Sequence, residues 1–327
     1  MTFPLQAYLL TFLGAGVVTA LSLPLWRWWC EQKGWVDDPG HRKIHHQPVP
    51  LAGGLAVFTG MALVVLGACL AVKWSWLSPE AVDKLAYGLG RRGVQLVAIL
   101  LGAFGMMLLG WWDDRFELKP LAKFLGQTLI ALAVAAVGVR VTLFVPSLVF
   151  SYGITVLWIL TVTNALNIND NMNGLCAGLG CVASAWIAFH AAREGQYLVA
   201  SLSLMVLGAL MGFLPYNFPK ASVFLGDAGS HLVGFLLSVL AILPHFYSPK
   251  QPHPSRWAVL CPLLILALPL ADLLSVIWIR TRLGKPFWIG DNNHFSHRLV
   301  RAGLTRPQAV MLLWFLALLA GAGTLMF

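Results

Sequence analysis

Ten long runs of apolar residues divide this chain, and little sequence remains between them. A transmembrane helix needs about 20 predominantly apolar residues. Because the chain has 327 residues, ten spans would occupy most of it and leave no room for a large soluble domain. The predicted spans are residues 5–26, 53–72, 94–112, 121–145, 147–165, 174–191, 196–214, 229–246, 256–279 and 308–326.

The composition supports this interpretation. Hydrophobic residues make up 58% of the chain and charged residues only 11%, whereas about 25% of a soluble domain is charged. A soluble globular enzyme is therefore excluded. We predict an all-α, polytopic integral membrane helix bundle of about ten transmembrane helices, which forms one membrane-embedded domain over residues 1–327.

The basic residues predict the orientation of the bundle. Loops that follow odd-numbered spans contain 14 of the 22 Lys and Arg residues, and cytoplasmic loops are enriched in these residues. We therefore expect both termini on the non-cytoplasmic side of the cell inner (plasma) membrane. The predicted cytoplasmic loops are residues 27–52, 113–120, 166–173, 215–228 and 280–307.

The acidic residues are distributed even less evenly. Ten of the 13 lie on the predicted cytoplasmic side, and these include Asp272, which is within two turns of that side. The orientation rule concerns Lys and Arg and does not account for carboxylates. This asymmetry indicates a single functional site that faces the cytoplasm.

The first polar segment, residues 37–57, contains Pro48 and Pro50 followed by Gly53 and Gly54. The prolines prevent a helix before the second span, and the glycines allow two backbones to approach closely. An ordinary positive-inside loop would explain the nearby cations equally well. Those cations are Arg42, Lys43 and His45.

The second segment, residues 110–127, contains the adjacent carboxylates Asp113 and Asp114. On a helix they point about 100° apart, so we expect them to serve different partners. Two like charges at a membrane boundary are unfavourable unless a metal or a cation joins them. Lys123 lies just inside the fourth span, and solvated loop charges are the alternative interpretation.

The third segment, residues 161–180, is the least compatible with plain membrane sequence. A polar residue recurs at every third position, which predicts one drifting helical face. Such groups are costly in a membrane and usually face a cavity, although hydrogen bonds between helices would explain one or two of them. The recurring residues are Asn164, Asn167, Asp170 and Asn173.

Two further segments complete the polar side. In residues 213–235, Asp227 lies on a glycine-containing turn, where it would act as a helix cap or as a ligand of Mg²⁺, which prefers oxygen ligands. In residues 280–307, a His-Arg group suits a phosphate, and a lipid-headgroup patch is the alternative. That group is His294, His297 and Arg298.

These elements together favour one class of reaction. Carboxylates and amides suit a hard cation, and the basic groups suit phosphates. Because the protein is embedded in a membrane, we expect a lipid substrate. The combination therefore predicts phosphoryl-group transfer to a lipid phosphate. The sequence has no Walker A motif and is therefore not a P-loop ATPase.

Five segments also resemble, in order, the motifs of the polyprenyl-phosphate N-acetylhexosamine-1-phosphate transferases (glycosyltransferase family 4), in particular those that act on undecaprenyl phosphate. The segments are RKIHHQPVPLAGG, DDRFELKPLAKFLGQ, NALNINDNMNGL, FLGDAGS and DNNHFSHRL. The third resembles the family's NxxDGxDGL motif, the fourth its GDxGS turn and the fifth its HxHHRL loop. The resemblance extends from Asp38 to about Gln308.

The resemblance implies a transfer of N-acetylhexosamine-1-phosphate, with GlcNAc-1-phosphate favoured, from a UDP-sugar to undecaprenyl phosphate with release of UMP. This reaction initiates cell-envelope glycan synthesis. Asp227 would be the chief ligand of Mg²⁺, or of Mn²⁺ as an alternative, and Asn167 the second. Asp113 or Asp114 would position or deprotonate the lipid phosphate, by in-line attack or through a phospho-aspartyl intermediate. The implied substrate-binding residues are Lys123, Asp170, Asn173, His294, His297, Arg298, Arg42, Lys43 and His45.

The chain departs from the family's motifs in three ways. Asn173 replaces the second acid of DGxDG, which excludes a general base there, and Ser296 replaces one His of HxHHRL. The PTMGG sequence of the peptidoglycan-precursor branch is missing, so UDP-GlcNAc-type donors are favoured over the alternative, UDP-MurNAc-pentapeptide.

Two rival functional hypotheses and a set of expected binding partners follow from these features. A transporter of a lipid-linked or anionic solute and an inactive lipid-binding relative are the rival hypotheses. The expected partners are the UDP-N-acetylhexosamine, undecaprenyl phosphate and membrane lipid, without nucleic acid. A homodimer is a further expectation, although no span shows a GxxxG-type seam that would identify its interface.

Overall fold

Twelve α-helices and one short β-ribbon make up most of the described chain. The computed structural model describes residues 3–39, 47–76, 78–143, 145–244, 246, 255–286, 288 and 290–327. In chain order the elements are α1 (Leu5–Lys33), β1 (Val36–Asp37), β2 (Val49–Pro50), α2 (Gly53–Lys73), α3 (Pro79–Phe116), α4 (Pro120–Ala136), α5 (Leu148–Ile168), α6 (Leu175–Arg193), α7 (Tyr197–Asn217), α8 (Gly226–Ile242), a 3₁₀ turn (Arg256–Leu260), α9 (Cys261–Ile265), α10 (Ala267–Arg282), α11 (Phe295–Arg301), α12 (Arg306–Ala322) and a second 3₁₀ turn (Gly323–Met326).

The helices confirm an all-α, polytopic membrane protein. Within the described residues, seven helices are long and apolar enough to cross a membrane, or eight if one bent pair is counted as a single span. Each of the ten predicted apolar runs overlaps a helix, and two of these helices, α4 and α8, are shorter than a typical span. The total of ten spans and the side on which the termini lie remain predictions.

The ninth predicted run is bent rather than straight. The segments Arg256–Ile265 and Ala267–Arg282 meet at an angle of 72°. Pro269 has no N–H group to donate to the carbonyl of Ile265, so a continuous helix cannot form its normal hydrogen bond here. The predicted span over residues 256–279 therefore consists of two helices joined at a bend, and its count as one span stays a prediction.

Helix α8 lies at the centre of the bundle. Of its 17 residues, 15 are buried, and it packs against α2, α3, α5 and α6. A helix that is apolar on all sides is expected to be surrounded by protein. Because α8 begins at Gly226, Asp227 lies at the first turn of this central helix.

A glycine seam joins α1 to α7. A Cβ atom at Gly208 would overlap the carbonyl oxygen of Phe12, and one at Gly212 would overlap that of Gly16. Small residues four apart allow membrane helices to pack at close range. This seam was not predicted from the sequence. It joins two helices of the same chain and therefore says nothing about a dimer.

Aromatic side chains connect the end of α1 with the end of α3. The rings of Trp35 and Trp111 stack with their centroids 4.2 Å apart, and Trp29 stacks on Trp35 at 6.5 Å. The Arg115 guanidinium lies 5.5 Å from the Trp35 ring. The antiparallel pair of β1 and β2 continues from the same region towards α2.

Candidate active site

The site begins where α2 meets the turn before α8. The amide of Gly53 donates to the carbonyl of Phe224 at 3.0 Å, and the amide of Gly54 donates to that of Leu225 at 3.1 Å. A Cβ atom at Gly54 would lie 2.5 Å from the backbone nitrogen of Gly229. The predicted close approach of backbones at the glycine pair is confirmed. The predicted cations Arg42, Lys43 and His45 lie outside the described residues.

Asp114 caps the central helix. Its Oδ1 accepts a hydrogen bond from the amide of Asp227 at 2.8 Å, and its Oδ2 accepts one from the amide of Ala228 at 3.0 Å. Gly226 has a φ of +71°, and a Cβ atom there would lie 2.9 Å from Asp114 Oδ2. A carboxylate at a helix N-terminus satisfies free amides and suits the helix dipole. Asp114 thereby fixes the position of Asp227.

Asp113 has a different set of partners. Its Oδ2 lies 2.6 Å from Lys123 Nζ, and its Oδ1 accepts the amide of Leu118 at 2.8 Å. The expectation that Asp113 and Asp114 serve different partners is confirmed. One carboxylate holds the position of α8, and the other faces a lysine.

The Lys123 ammonium contacts three oxygen atoms, each from a different helix. Besides Asp113, it contacts Asp227 Oδ2 at 3.3 Å and Asn167 Oδ1 at 3.2 Å. The Nδ2 of Asn167 donates to Asp227 Oδ1 at 2.7 Å and to Ser230 Oγ at 3.0 Å. Both oxygens of Asp227 thus contact groups on other helices, so a helix cap alone does not account for this residue.

The oxygen atoms around Lys123 suit a hard cation. They are carboxylate and amide oxygens, and the Asp227 side chain is 34% exposed, which leaves it accessible. Among the described residues, no group of three or more His, Cys, Asp or Glu side chains could hold a metal ion. Mg²⁺ commonly uses only one or two carboxylates and completes its shell with water and substrate phosphates. The donor set therefore fits a magnesium ion shared with a substrate.

The polar residues of the third segment do not share one helical face. Helix α5 ends at Ile168, so Asn164 and Asn167 are helical whereas Asp170 and Asn173 lie in the following loop. The Nδ2 of Asn171 donates to the Ile168 carbonyl at 2.7 Å, and such local side-chain bonds compete with helix formation. The single-face prediction is wrong beyond Asn167.

The loop brings Asp170 next to the start of α8. Burial raises the pKa of Asp170 to about 8, the Asp227 carboxylate also raises it, and a hydrogen bond from the Gly226 amide opposes the shift. On the same loop, Asn173 Nδ2 donates to the carbonyl of Pro219 at 3.2 Å. The two predicted nucleotide-site residues thus border the turn that precedes α8.

A histidine segment forms a second part of the site. His294 Nδ1 lies 2.7 Å from Asp272 Oδ2, and Asp272 Oδ1 accepts the amide of Phe295 at 2.7 Å. The His294 and His297 rings are 6.3 Å apart, whereas Arg298 is exposed and donates towards Ser275 Oγ at 3.4 Å. The two histidines are neighbours as predicted, but His294 is buried and turned towards α10.

Asp272 is the functional candidate that the site prediction missed. The sequence does contain a signal for it, because a carboxylate inside an apolar run is costly and usually functional. Its partner could not be identified, since His294 follows 22 residues later across an irregular loop. Ser230 is a second omission, and it contacts Asn167 from the first turns of α8.

We expect Asp114→Asn to weaken the junction between α3 and α8. Asparagine has one acceptor oxygen, so one of the two amides loses its partner and the free energy of unfolding should fall by about 1–3 kcal/mol. Turnover should fall with it, by about tenfold, because Asp227 shifts. Thermal unfolding and initial rates check both effects. Loss of activity with an unchanged unfolding midpoint would contradict a capping role.

A second prediction concerns acid stability. Burial, followed by the neighbouring His294 and Arg301, lowers the pKa of His297 below its usual 6.5. The unfolded chain then binds more protons than the folded chain just below pH 6.5, so stability falls as the pH drops through that window. In the His297→Gln variant, acidification through the same pH window should lower the unfolding midpoint by less than it does in the wild-type protein. An equal fall in both proteins would contradict the prediction.

Comparison with known proteins identifies relatives over most of the chain. The model of "Glycosyl transferase family 4" matches residues 96–245. A "Probable undecaprenyl-phosphate N-acetylglucosaminyl 1-phosphate transferase" of Bacillus subtilis is 33% identical over 291 residues, which cover 86% of this chain and 74% of the relative. A "Decaprenyl-phosphate N-acetylglucosaminephosphotransferase" of Mycobacterium tuberculosis is 30% identical, over 95% of this chain and 80% of the relative. An "Undecaprenyl-phosphate alpha-N-acetylglucosaminyl 1-phosphate transferase" of Haemophilus influenzae is 31% identical, over 94% and 82%.

Proposed function

Because the chain belongs to glycosyl transferase family 4, we propose that it transfers N-acetylhexosamine-1-phosphate from a UDP-sugar to undecaprenyl phosphate and releases UMP. UDP-GlcNAc is the favoured donor, since the names of the relatives refer to N-acetylglucosamine. The observation on which the proposal depends is the junction of Lys123 with Asp113, Asn167 and Asp227. We further propose that the reaction initiates cell-envelope glycan synthesis.

The proposed location is the inner (plasma) membrane, with the site on the cytoplasmic side. The excess of Lys and Arg in the loops that follow odd-numbered spans supports this orientation. The junction around Lys123 lies at the ends of α3 and α5 and the starts of α4 and α8, which the sequence predicts on that side. A UDP-sugar from the cytoplasm would reach it directly.

Asp227 and Asn167 would hold Mg²⁺, with Mn²⁺ as an alternative cation. When bound, the ion would neutralise negative charge on the donor diphosphate and orient it. The Asp227 carboxylate is kept in place by the Asn167 amide, and its helix is kept in place by Asp114. The chain therefore presents a preorganised carboxylate, which reduces the reorganisation needed during the reaction.

We assign the lipid phosphate to the side of Asp113 and Lys123. The Lys123 ammonium would attract the phosphate, and Asp113 would position the lysine or accept a proton from the phosphate. An oxygen of the lipid phosphate would attack the phosphorus attached to the sugar in line with the bond to UMP. Phosphoryl transfer depends mainly on such positioning and on charge neutralisation. Both oxygens of Asp114 already accept amides of α8, so we assign it a positioning role.

The remaining residues would hold the donor. Asp170 and Asn173 border the proposed nucleotide pocket, and His294, His297 and Arg298 would contact the diphosphate and the sugar. Arg298 suits phosphate oxygens because its guanidinium donates charge-assisted hydrogen bonds, and a neutral histidine still donates one N–H. The sequence-predicted cations Arg42, Lys43 and His45 complete this proposed set.

A reaction with purified protein tests the proposal. The protein is incubated with Mg²⁺, undecaprenyl phosphate and one UDP-sugar at a time, and UMP release is followed. UMP is expected with UDP-GlcNAc and not with UDP-MurNAc-pentapeptide. Preparations without lipid phosphate control for simple hydrolysis of the donor. Absence of UMP with every UDP-N-acetylhexosamine, from protein that still binds lipid phosphate, would refute the proposal.

A further inference from the structure

A short hydrogen bond connects the two separate loops of the site. Ser296 Oγ, on α11, donates to Asn171 Oδ1, in the loop between α5 and α6, at 2.6 Å. The two residues are 125 positions apart in the sequence. Ser296 is only 1% exposed, so its hydroxyl is shielded from water and has this amide as a partner.

Each residue of the pair is also held by its own surroundings. The Nδ2 of Asn171 donates to the carbonyl of Ile168 at 2.7 Å, which fixes the amide against the end of α5. On the other side, Asp272 accepts from His294 and from the amide of Phe295, which fixes the start of α11. The hydrogen bond between Ser296 and Asn171 therefore joins two anchored segments and sets the distance between them.

Both residues depart from the motifs that the sequence resembles. Asn171 occupies the position of the first Gly in NxxDGxDGL, and Ser296 occupies the position of the second His in HxHHRL. The two departures contact each other in the structure. A histidine in place of the buried Ser296 would have to fit beside the Asn171 side chain. A glycine at position 171 would leave it more room.

We infer that Asn171 and Ser296 form a matched pair of positioning residues for the UDP-sugar site. The pair would keep Asp170, on the nucleotide side, in register with His294 and His297, on the diphosphate side. This inference depends on the proposed function, because it assigns these loops to one donor molecule. It makes the pair a determinant of donor affinity and gives it no direct part in the chemical step.

The test is a double-mutant cycle with Asn171→Gly, Ser296→His and the double variant. Binding of UDP-GlcNAc is measured by titration calorimetry, which needs no turnover, and KM and kcat come from UMP release. Ser296→His alone should weaken UDP-GlcNAc binding by about tenfold, because an imidazole does not fit beside Asn171. Adding Asn171→Gly should restore most of the lost affinity, since the effects of substitutions at contacting residues are not additive.

Two further variants separate positioning from general stability. Ser296→Ala should raise KM for UDP-GlcNAc while KM for undecaprenyl phosphate stays the same, and Ser296→Thr, which keeps the hydroxyl, should recover part of the loss. Ser203→Ala is the matched control, because the buried Ser203 hydroxyl donates within its own helix α7, to the carbonyl of Val199 at 2.9 Å. It should leave both KM values unchanged.

The outcomes distinguish this inference from the proposed function. Additive effects in the cycle, from a wild type that binds UDP-GlcNAc, would overturn the matched pair whether or not UMP is released. Binding of UDP-GlcNAc with non-additive variants but without UMP release would support the pair and refute only the transferase proposal. Absence of UDP-GlcNAc binding by the wild type would overturn both.

Discussion

Asp227→Asn should reduce the rate of UMP release by about 100- to 1,000-fold, the range typical for loss of one preorganised electrostatic contact. It should also raise the Mg²⁺ concentration needed for half-maximal activity. The substitution keeps the size of the side chain but removes its negative charge, which faces Lys123 Nζ at 3.3 Å and Asn167 Nδ2 at 2.7 Å. Initial rates across a Mg²⁺ titration measure both effects.

Asp83→Asn provides the matched control. It removes the same charge from an exposed position near the start of α3, about 45 Å from Asp113 along the helix at 1.5 Å per residue. We expect wild-type rates and an unchanged Mg²⁺ titration. If Asp227→Asn lowers the rate but leaves the Mg²⁺ dependence unchanged, Asp227 is not a metal ligand.

Asp272→Asn should lower kcat/KM by about 10- to 100-fold, as is usual when the group that orients a functional histidine is removed. A carboxylate at Asp272, whose Oδ1 already accepts the amide of Phe295, accepts from His294 Nδ1 and so favours the tautomer with the proton on Nδ1. An asparagine NH₂ group facing Nδ1 would favour the opposite tautomer. Initial rates of UMP release at several UDP-GlcNAc concentrations measure the loss.

A double variant tests whether Asp272 acts through His294. Asp272→Asn combined with His294→Ala should be no less active than His294→Ala alone, because the two residues form one unit. Because Asp272 is 1% exposed, thermal unfolding must accompany the rates to identify a folding defect. If the two losses of activity multiply in the double variant and its unfolding midpoint is unchanged, Asp272 has a separate role.

The sequence predicted the helices well and their interruptions poorly. Hydropathy identifies each apolar run, but α3 begins at Pro79, about four turns before the predicted span, because its first residues are charged and still helical. The bend before Ala267 requires knowledge of which carbonyl Pro269 leaves without a donor. The complete burial of α8 could not be predicted from hydropathy, because an apolar helix of a membrane protein can face lipid as well as protein.

The site was predictable by residue type and less so by geometry. The spacing of Asp113 and Asp114 implied separate partners, yet it could not show that one of them caps a helix more than 100 positions later. The recurrence of Asn164, Asn167, Asp170 and Asn173 suggested a continuous helix, because periodicity does not reveal where local side-chain bonds end one. Contacts across long loops, such as that of Asp272 with His294, have no local pattern.

The stacked rings of Trp29, Trp35 and Trp111 indicate the depth at which we expect the reaction in the bilayer. Tryptophan prefers the boundary between hydrocarbon and headgroups, and Trp111 precedes Asp113 by only two residues on α3. Trp28 and Trp112, which are more than half exposed, mark the same level on the outer surface of the bundle. We therefore expect the carboxylates at headgroup height, where the phosphate of a membrane lipid lies. At that depth a polyprenyl chain would keep its tail in the hydrocarbon while its phosphate reacts, so the lipid would not have to leave the membrane.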